Sequence, residues 1–426
     1  MTPLTPPILS DIVVQHAEDA AFLWCMRDAA TDQPHYDLRR LASLEERLEA
    51  HIDGLRVAED AGLEIAWAQA EQYGEPGELF AIATLALESR HGTMIEQVLR
   101  FAESVPKSRR GLFGALGWVS RDALRGHVVT WLASSSAFRR LVGVIACSLH
   151  RADPTTRMEN LLADEPSVRA RALRLAGELG RIDLQRHARV ALNQEDDACR
   201  FWAAWSAALL GERLLPIAIL QAYAAAAGTY KWRALDLVLR LMERDAAIGW
   251  LRELGRDPSH ARMLVVAAGV LGDPLVVPWL LQKMSVPTLA RVAGESFSTI
   301  TGVDLSEQGL DDKPPADFSA GPVDDPHDES VTNDPDENLA WPAATKLEAW
   351  WEKMLESFPA AVKHLKGSPL TQENCNAVIR TGYQRQRRAA AYELALMNPG
   401  HPLWNWRAKS AVQANQLRSS AQPLGS

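Results

Sequence analysis

Between residues 35 and 58 the chain reads HYDLRRLASLEERLEAHIDGLRVA, and Leu38, Leu41, Leu44, Leu48, Ile52 and Leu55 fall three or four positions apart. That spacing puts them on one side of an α-helix, with Arg39, Arg40, Glu45, Glu46, Arg47 and Glu49 forming a solvated mixed-charge face. Downstream the helical period returns in short blocks. Each opens on a basic residue, continues with small and apolar residues at helical spacing, and closes on Gly or a polar stop. They read RRGLFGALGWVSRDA from Arg109, RRLVGVIACSLHRADP from Arg139, VRARALRLAGELGRID from Val168 and CRFWAAWSAALLGERL from Cys199. KWRALDLVLRLMERDA from Lys231, HARMLVVAAGVLGDPL from His260 and LARVAGESFSTITGVD from Leu289 follow, and GELFAIATLALESRHG from Gly77 is a weaker early copy. The lead basic residues Arg109, Arg139, Arg169, Arg200, Lys231, Arg262 and Arg291 are separated by 30, 30, 31, 31, 31 and 29 positions. So regular a period predicts stacked helical repeats, and about thirty residues accommodate two helices with short turns.

The periodic region defines the rest of the organisation. An array covers 75–304, capping helices at 35–74 cover its first face, and 1–34 form an N-terminal segment. The DEPSVRARA and RDPSHARML stretches place an acidic residue and proline at helix starts, where a capping carboxylate and a first-turn proline are both favoured. The longest apolar tract, MLVVAAGVLGDPLVVPWLL from Met263, is broken by Gly272-Asp273-Pro274 and reads as two short buried helices, not a membrane span. Residues 305–340, rich in Pro and Asp, form an acidic linker, and 341–410 a C-terminal helical unit that ends in a repeat-like helix. In that last helix, GYQRQRRAAAYELALMNPG, Arg387 takes the place of Arg169 and Ala390 that of Ala172, and Pro399-Gly400 is the stop. Residues 411–426 read as a flexible tail. The fold class is all-α.

Val168, Arg169, Ala172 and Gly180 carry a V-R-x-x-A pattern closing on Gly that resembles the HEAT-repeat superfamily, especially the short HEAT-like repeats also found in phycobilin lyases. The resemblance covers about 75–304 and implies a HEAT-like α-solenoid. In such repeats the early arginine pairs with an acidic residue of a neighbouring repeat, which implies structural roles for Arg139, Arg169, Arg200, Arg262, Arg291 and Arg387. A resemblance over nearly the full chain is to an uncharacterised bacterial family of HEAT-like proteins often encoded in type VI secretion gene clusters. It rests on YDLRRLASLEERLEAHIDGL, the repeats, AGESFSTITGVDL, DPDENLAWP, the paired Trp350-Trp351 and GYQRQRRAAAYELAL, in that order. It implies a cytoplasmic adaptor or chaperone that helps load or assemble a secretion component or effector.

Composition narrows the function. The apolar fraction is 47%, ample for a core, and the net charge is −9. Twelve acidic residues against the single Lys313 between Asp304 and Glu337 carry −11 of that charge, so the remainder sums to +2. A dedicated nucleic-acid binder shows a basic excess, and none is visible. The acidic linker does not meet the calcium-loop pattern. The four cysteines are far apart and read as small hydrophobes of a reduced protein, and the N-terminus lacks the pattern of a signal peptide. No H-E-x-x-H, P-loop, G-x-G-x-x-G or G-x-S-x-G motif occurs, and the 11 histidines are dispersed. These observations predict a non-enzymatic protein-binding scaffold without metal or cofactor, with no nucleic-acid partner and no membrane insertion. An immunity-type toxin inhibitor is a second binding reading. Trp202, Trp205, Trp232 and Arg233 are of the types that line helical-repeat DNA glycosylases, and a bilin lyase-type enzyme is a further alternative. The candidate partner-binding residues are Trp202, Trp205, Trp350, Trp351, Arg385 and Arg388, the aromatics as interface anchors, with a core role the default for Trp350 and Trp351, and the arginines as charges free to meet a partner or to dock against the acidic linker.

Overall fold

The computed structural model describes residues 9–316, 318–321 and 334–419. Among them the fold is all-α, with 22 α-helices and four two-residue strands. Among the described residues, no helix is long and apolar enough to cross a membrane. The chain divides into two compact units, one of residues 1–32, 36–210 and 400–426 and the other of 33–35 and 211–399.

The first unit begins with α1 (Ser10–Ala30), α2 (Leu38–Val57) and α3 (Glu59–Tyr73). Asp37 caps α2 by accepting from the Arg40 N–H at 2.7 Å, and Leu41, Leu44, Leu48, Ile52 and Leu55 are buried as the 3–4 spacing requires. Then come α4 (Pro76–Glu88), α5 (Gly92–Ser104), α6 (Arg109–Trp118), α7 (His127–Leu132), α8 (Ala137–Leu149), α9 (Met158–Leu162), α10 (Pro166–Leu179), α11 (Gln185–Ala191) and α12 (Asp197–Leu209). Helices α4, α6, α8, α10 and α12 pack each against the next, with α5, α7, α9 and α11 beside them, while α1 and α3 pack on α4. The core is aromatic where these helices meet: the Trp24 and Phe80 rings stack at 5.1 Å, and Trp118 meets Phe80 edge-on at 5.6 Å.

The second unit contains α13 (Leu215–Ala225), α14 (Lys231–Leu241), α15 (Arg244–Leu254), α16 (Ala261–Leu271), α17 (Val277–Lys283) and α18 (Pro287–Thr301). Here α14, α16 and α18 pack in succession. Strand β1 (Asp311–Asp312) pairs antiparallel with β2 (Trp341–Pro342), and α19 (Ala344–Met354) follows. A second short ladder joins β3 (His364–Leu365) to β4 (Ser368–Pro369), leading into α20 (Gln372–Thr381) and α21 (Gln384–Met397). Helix α22 (Ser410–Ser419) belongs to the first unit and packs on α2.

One helix junction recurs in both units. A Cβ on Gly177 of α10 would lie 2.6 Å from the Ser206 hydroxyl of α12, and one on Gly269 of α16 would lie 2.9 Å from the Ser296 hydroxyl of α18. Ser206 donates to the Leu173 carbonyl at 2.6 Å and Ser296 to the Val265 carbonyl at 2.8 Å, four residues before the glycine in each case. Glycine permits the close backbone approach, and the hydroxyl finds its partner across it instead of remaining buried and unpaired.

Several expected boundaries move. Contacts divide the chain between Leu210 and Gly211, inside the expected array of 75–304. Residues 341–399 do not stand apart beyond a linker: α21 packs on α20 and α14, and Trp351 and Leu347 enter a core with Phe297 and Val265. The acidic segment is not simply solvated. Asp336 is 4% exposed and takes both Arg262 nitrogens at 2.6 Å, and Asp334 meets Arg291 at 2.6 Å. Asp317 and residues 322–333 of that segment lie outside the described residues. The tail expected at 411–426 is helical as far as Ser419, with Gln413 buried, and its last residues also lie outside.

Candidate functional site

The four tryptophans expected to meet a partner are structural. Trp202 and Trp205 on α12 are 8% and 2% exposed, with rings 5.4 Å apart. The Arg174 guanidinium lies 4.6 Å from the Trp202 ring, a cation–π contact inside the first unit. Trp351 is buried and Trp350 half-buried, packed on Phe358 and Phe297 at 5.4 and 5.6 Å. Of the residue types compared with glycosylases, Trp232 does stay exposed.

The two arginines expected to be free are engaged. Arg385 Nη1 reaches both oxygens of Glu295, at 2.7 and 2.9 Å, and Arg388 Nε lies 3.2 Å from Asp236. Among the repeat arginines, Arg139 pairs with Glu96 of α5 as the repeat pattern implies. Arg262 and Arg291 pair instead with the acidic segment. Arg200 meets Asp197 on its own helix at 3.0 Å. Arg169 donates to the Asp164 carbonyl at 2.7 and 3.1 Å and to Gln194 at 2.9 Å. The buried Arg387 donates to the Ile379 carbonyl at 2.7 Å and to Gln384. A guanidinium near a helix end can serve carbonyls as well as carboxylates, and sequence alone does not say which. The same applies to DEPS: Pro166 opens α10, but the Asp164 carboxylate binds Arg140 at 2.6 and 2.7 Å instead of capping that helix.

Three features lay beyond the sequence reading. The first is Glu178 on α10, a buried carboxylate within 2.8 Å of Arg174, 3.4 Å of Arg151 and 3.8 Å of Arg171, and hydrogen-bonded by Ser148. Burial alone would raise its pKa, but Arg174, Arg151, Arg171 and Ser148 outweigh that and hold it down at about 2. The second is a strap of chain from 400 to 413. Leu403 N–H donates to the Glu178 carbonyl at 2.9 Å, Arg151 to the Leu403 carbonyl and Asn405 to the Leu149 carbonyl, both at 2.9 Å. Farther along, Arg407 pairs with Asp28 and Asp32, Lys409 with Glu49, and Ser410 with Glu45, which also holds Arg27. Lys409 Nζ lies 4.0 Å from the Trp118 ring. No helical period marks HPLWNWRAK, so only folding reveals it.

The third is a cleft of about 490 Å³ beside α10 and α11. Arg169, Arg186 and His187 line it together with Leu162, Leu173 and Val190, and none of its lining residues is acidic. Elsewhere the fold joins two dispersed histidines: His16 and His51, on α1 and α2, face each other with Nδ1 atoms 3.2 Å apart and Asp19 at 3.5 Å from His51. Among the described residues, no group of three or more His, Cys, Asp or Glu side chains is arranged to hold a metal ion. Three of the cysteines are buried free thiols, and burial pushes Cys147 up to about 11 and Cys199 and Cys375 up to about 12, which keeps them protonated. Cys25 differs from that expectation in being exposed. Comparison with known proteins finds no match to the chain among family models, curated proteins or solved structures.

Proposed function

We propose that this protein is a non-enzymatic interaction scaffold built as a HEAT-like α-solenoid, working in the cytoplasm as an adaptor or chaperone for a type VI secretion component or effector. The observation that carries the scaffold reading is the succession of alternate helices, each packed on the next, with the intervening helices beside them and the Gly–Ser junction repeated in both units. Stacked repeats of this kind offer extended surface to a protein partner, because each repeat needs only its neighbours to be stable. The link to secretion comes from the resemblance in sequence order, from YDLRRLASLEERLEAHIDGL to GYQRQRRAAAYELAL.

With Trp202, Trp205, Trp350 and Trp351 committed to packing, the surface available to a partner is made of other residues. Capture on tagged full-length protein from the cells that make it, read by mass spectrometry, tests the proposal. Recovery of a secretion component or effector in stoichiometric amounts is expected. Recovery of none, or a low-salt gel shift showing tight binding of DNA, would overturn it.

A further inference from the structure

The cleft beside α10 and α11 gathers three basic side chains without a carboxylate in its lining. On neighbouring elements arginines meet carboxylates: Arg140 with Asp164, Arg139 with Glu96, Arg181 with Asp153 and Asp183. In the cleft, Arg169, Arg186 and His187 gather with no acidic residue in the lining. The Asp164 and Asp183 carboxylates, close to them in sequence, form their ion pairs with Arg140 and Arg181, and reach Arg169 and His187 only through space. Arg169 is fixed at the cleft wall by the Asp164 carbonyl and by Gln194, itself a lining residue, so its guanidinium needs little reordering to offer its remaining N–H groups to an incoming anion. Arg186 and His187 stand exposed on α11. Beside these donors the lining is aliphatic, and Val190 is left 66% exposed in water.

We infer that this cleft is a docking site for an acidic peptide segment of a protein partner. A Glu or Asp carboxylate is received by Arg169, Arg186 and His187, and an adjacent aliphatic side chain covers Leu162, Leu173 and Val190. The inference rests on the protein-binding reading above and gives that reading a place and a chemistry. Charge complementarity selects the carboxylate, since a guanidinium fork binds it through paired donors. The cleft's size suits one or two side chains, which sets it as a specificity pocket within a larger contact.

The test uses the full-length protein and fluorescein-Gly-Leu-Glu-Leu-Glu-Leu-amide, followed by fluorescence polarisation. A counterpart with Gln for each Glu, inorganic phosphate as competitor and a single-stranded DNA oligonucleotide complete the set of probes. The Glu peptide is expected to bind at least ~10-fold more tightly than the Gln peptide, and Arg186→Glu and Val190→Asp are each expected to weaken it by ~10-fold. Both replaced side chains are exposed, so the melting curves should not move. Equal binding of the Glu and Gln peptides, or unchanged binding to Arg186→Glu, would overturn the inference. So would an oligonucleotide or phosphate that binds at this cleft in preference to the peptide. Repeating the capture from cells with Arg186→Glu separates the two proposals. An unchanged set of captured proteins removes the cleft and leaves the scaffold, whereas peptide binding without any captured secretion component does the reverse.

Discussion

Glu178 shows how much can depend on one carboxylate. Three arginines and a serine hydroxyl converge on it inside the first unit, and removing a single member of a buried ionic group leaves the others desolvated and uncompensated. Its folded pKa of about 2 lies below its ordinary 4.5, so the carboxylate contributes stability above pH 4.5, and that contribution is lost as pH falls toward 2. The shift corresponds to about 3 kcal/mol at neutral pH. Glu178→Gln is therefore expected to lower the free energy of unfolding by about 3 kcal/mol at pH 7, with the gap from the native protein shrinking by roughly half or more at pH 3. Urea titrations at the two pH values check it, and an equal gap at both would show that the group is not held as described. Single residues are also where sequence patterns say least. Trp350 and Trp351 are adjacent and Arg385 and Arg388 lie on one helix, yet whether such side chains face solvent or a neighbour depends on elements scores of residues away.

At the scale of the element, helix ends carry the information. Gly74 and Gly180 both close their helices in the left-handed region, with φ of 65° and 68°. A Cβ on Gly74 would be 3.6 Å from its nearest neighbour, the end of Lys107, whereas one on Gly180 would lie 2.7 Å from backbone atoms of Gly400 and His401. Gly74→Ala is expected to cost about 1 kcal/mol from the backbone alone, and Gly180→Ala at least about 1 kcal/mol more because the strap must shift. Guanidinium denaturation of the two variants checks the difference, and equal losses would mean that the strap does not bear on α10. Much at this scale was legible beforehand. The helical spacing of the blocks at Arg109 and Lys231 corresponds to helices that open on those residues, and glycine stops mark where several helices end. What periodicity cannot carry is partition into units. The spacing runs evenly through Leu210 and Gly211, where the contacts divide. Nor could charge composition anticipate that Asp334 and Asp336 would be fastened to Arg291 and Arg262, since an acidic stretch rich in proline reads the same whether or not it is anchored.

For the whole molecule, the informative feature is that the first unit is discontinuous: it contains the chain from α1 to α12 and also residues 400–426. The late segment supplies Arg407, Lys409 and Ser410 to carboxylates of α1 and α2, and Leu403 and Asn405 to the carbonyl ends of α10 and α8. A chain ending at Pro399 is expected to lose amide protection in α1, α2, α8 and α10 while α14, α16 and α18 keep theirs. Hydrogen exchange read peptide by peptide checks this, and uniform protection in the truncated chain would count against the strap as a stabilising element.

That arrangement has a consequence in time. On a ribosome, α1 to α12 emerge first, but Ser410 and Lys409 reach Glu45 and Glu49 only after the entire second unit has been made. At about 5–20 residues per second that interval is roughly 10–40 s, long compared with the folding of a helical domain. For that interval Trp118 lacks the Lys409 cation that finally lies against it. The part of the chain made earliest is thus the part completed last.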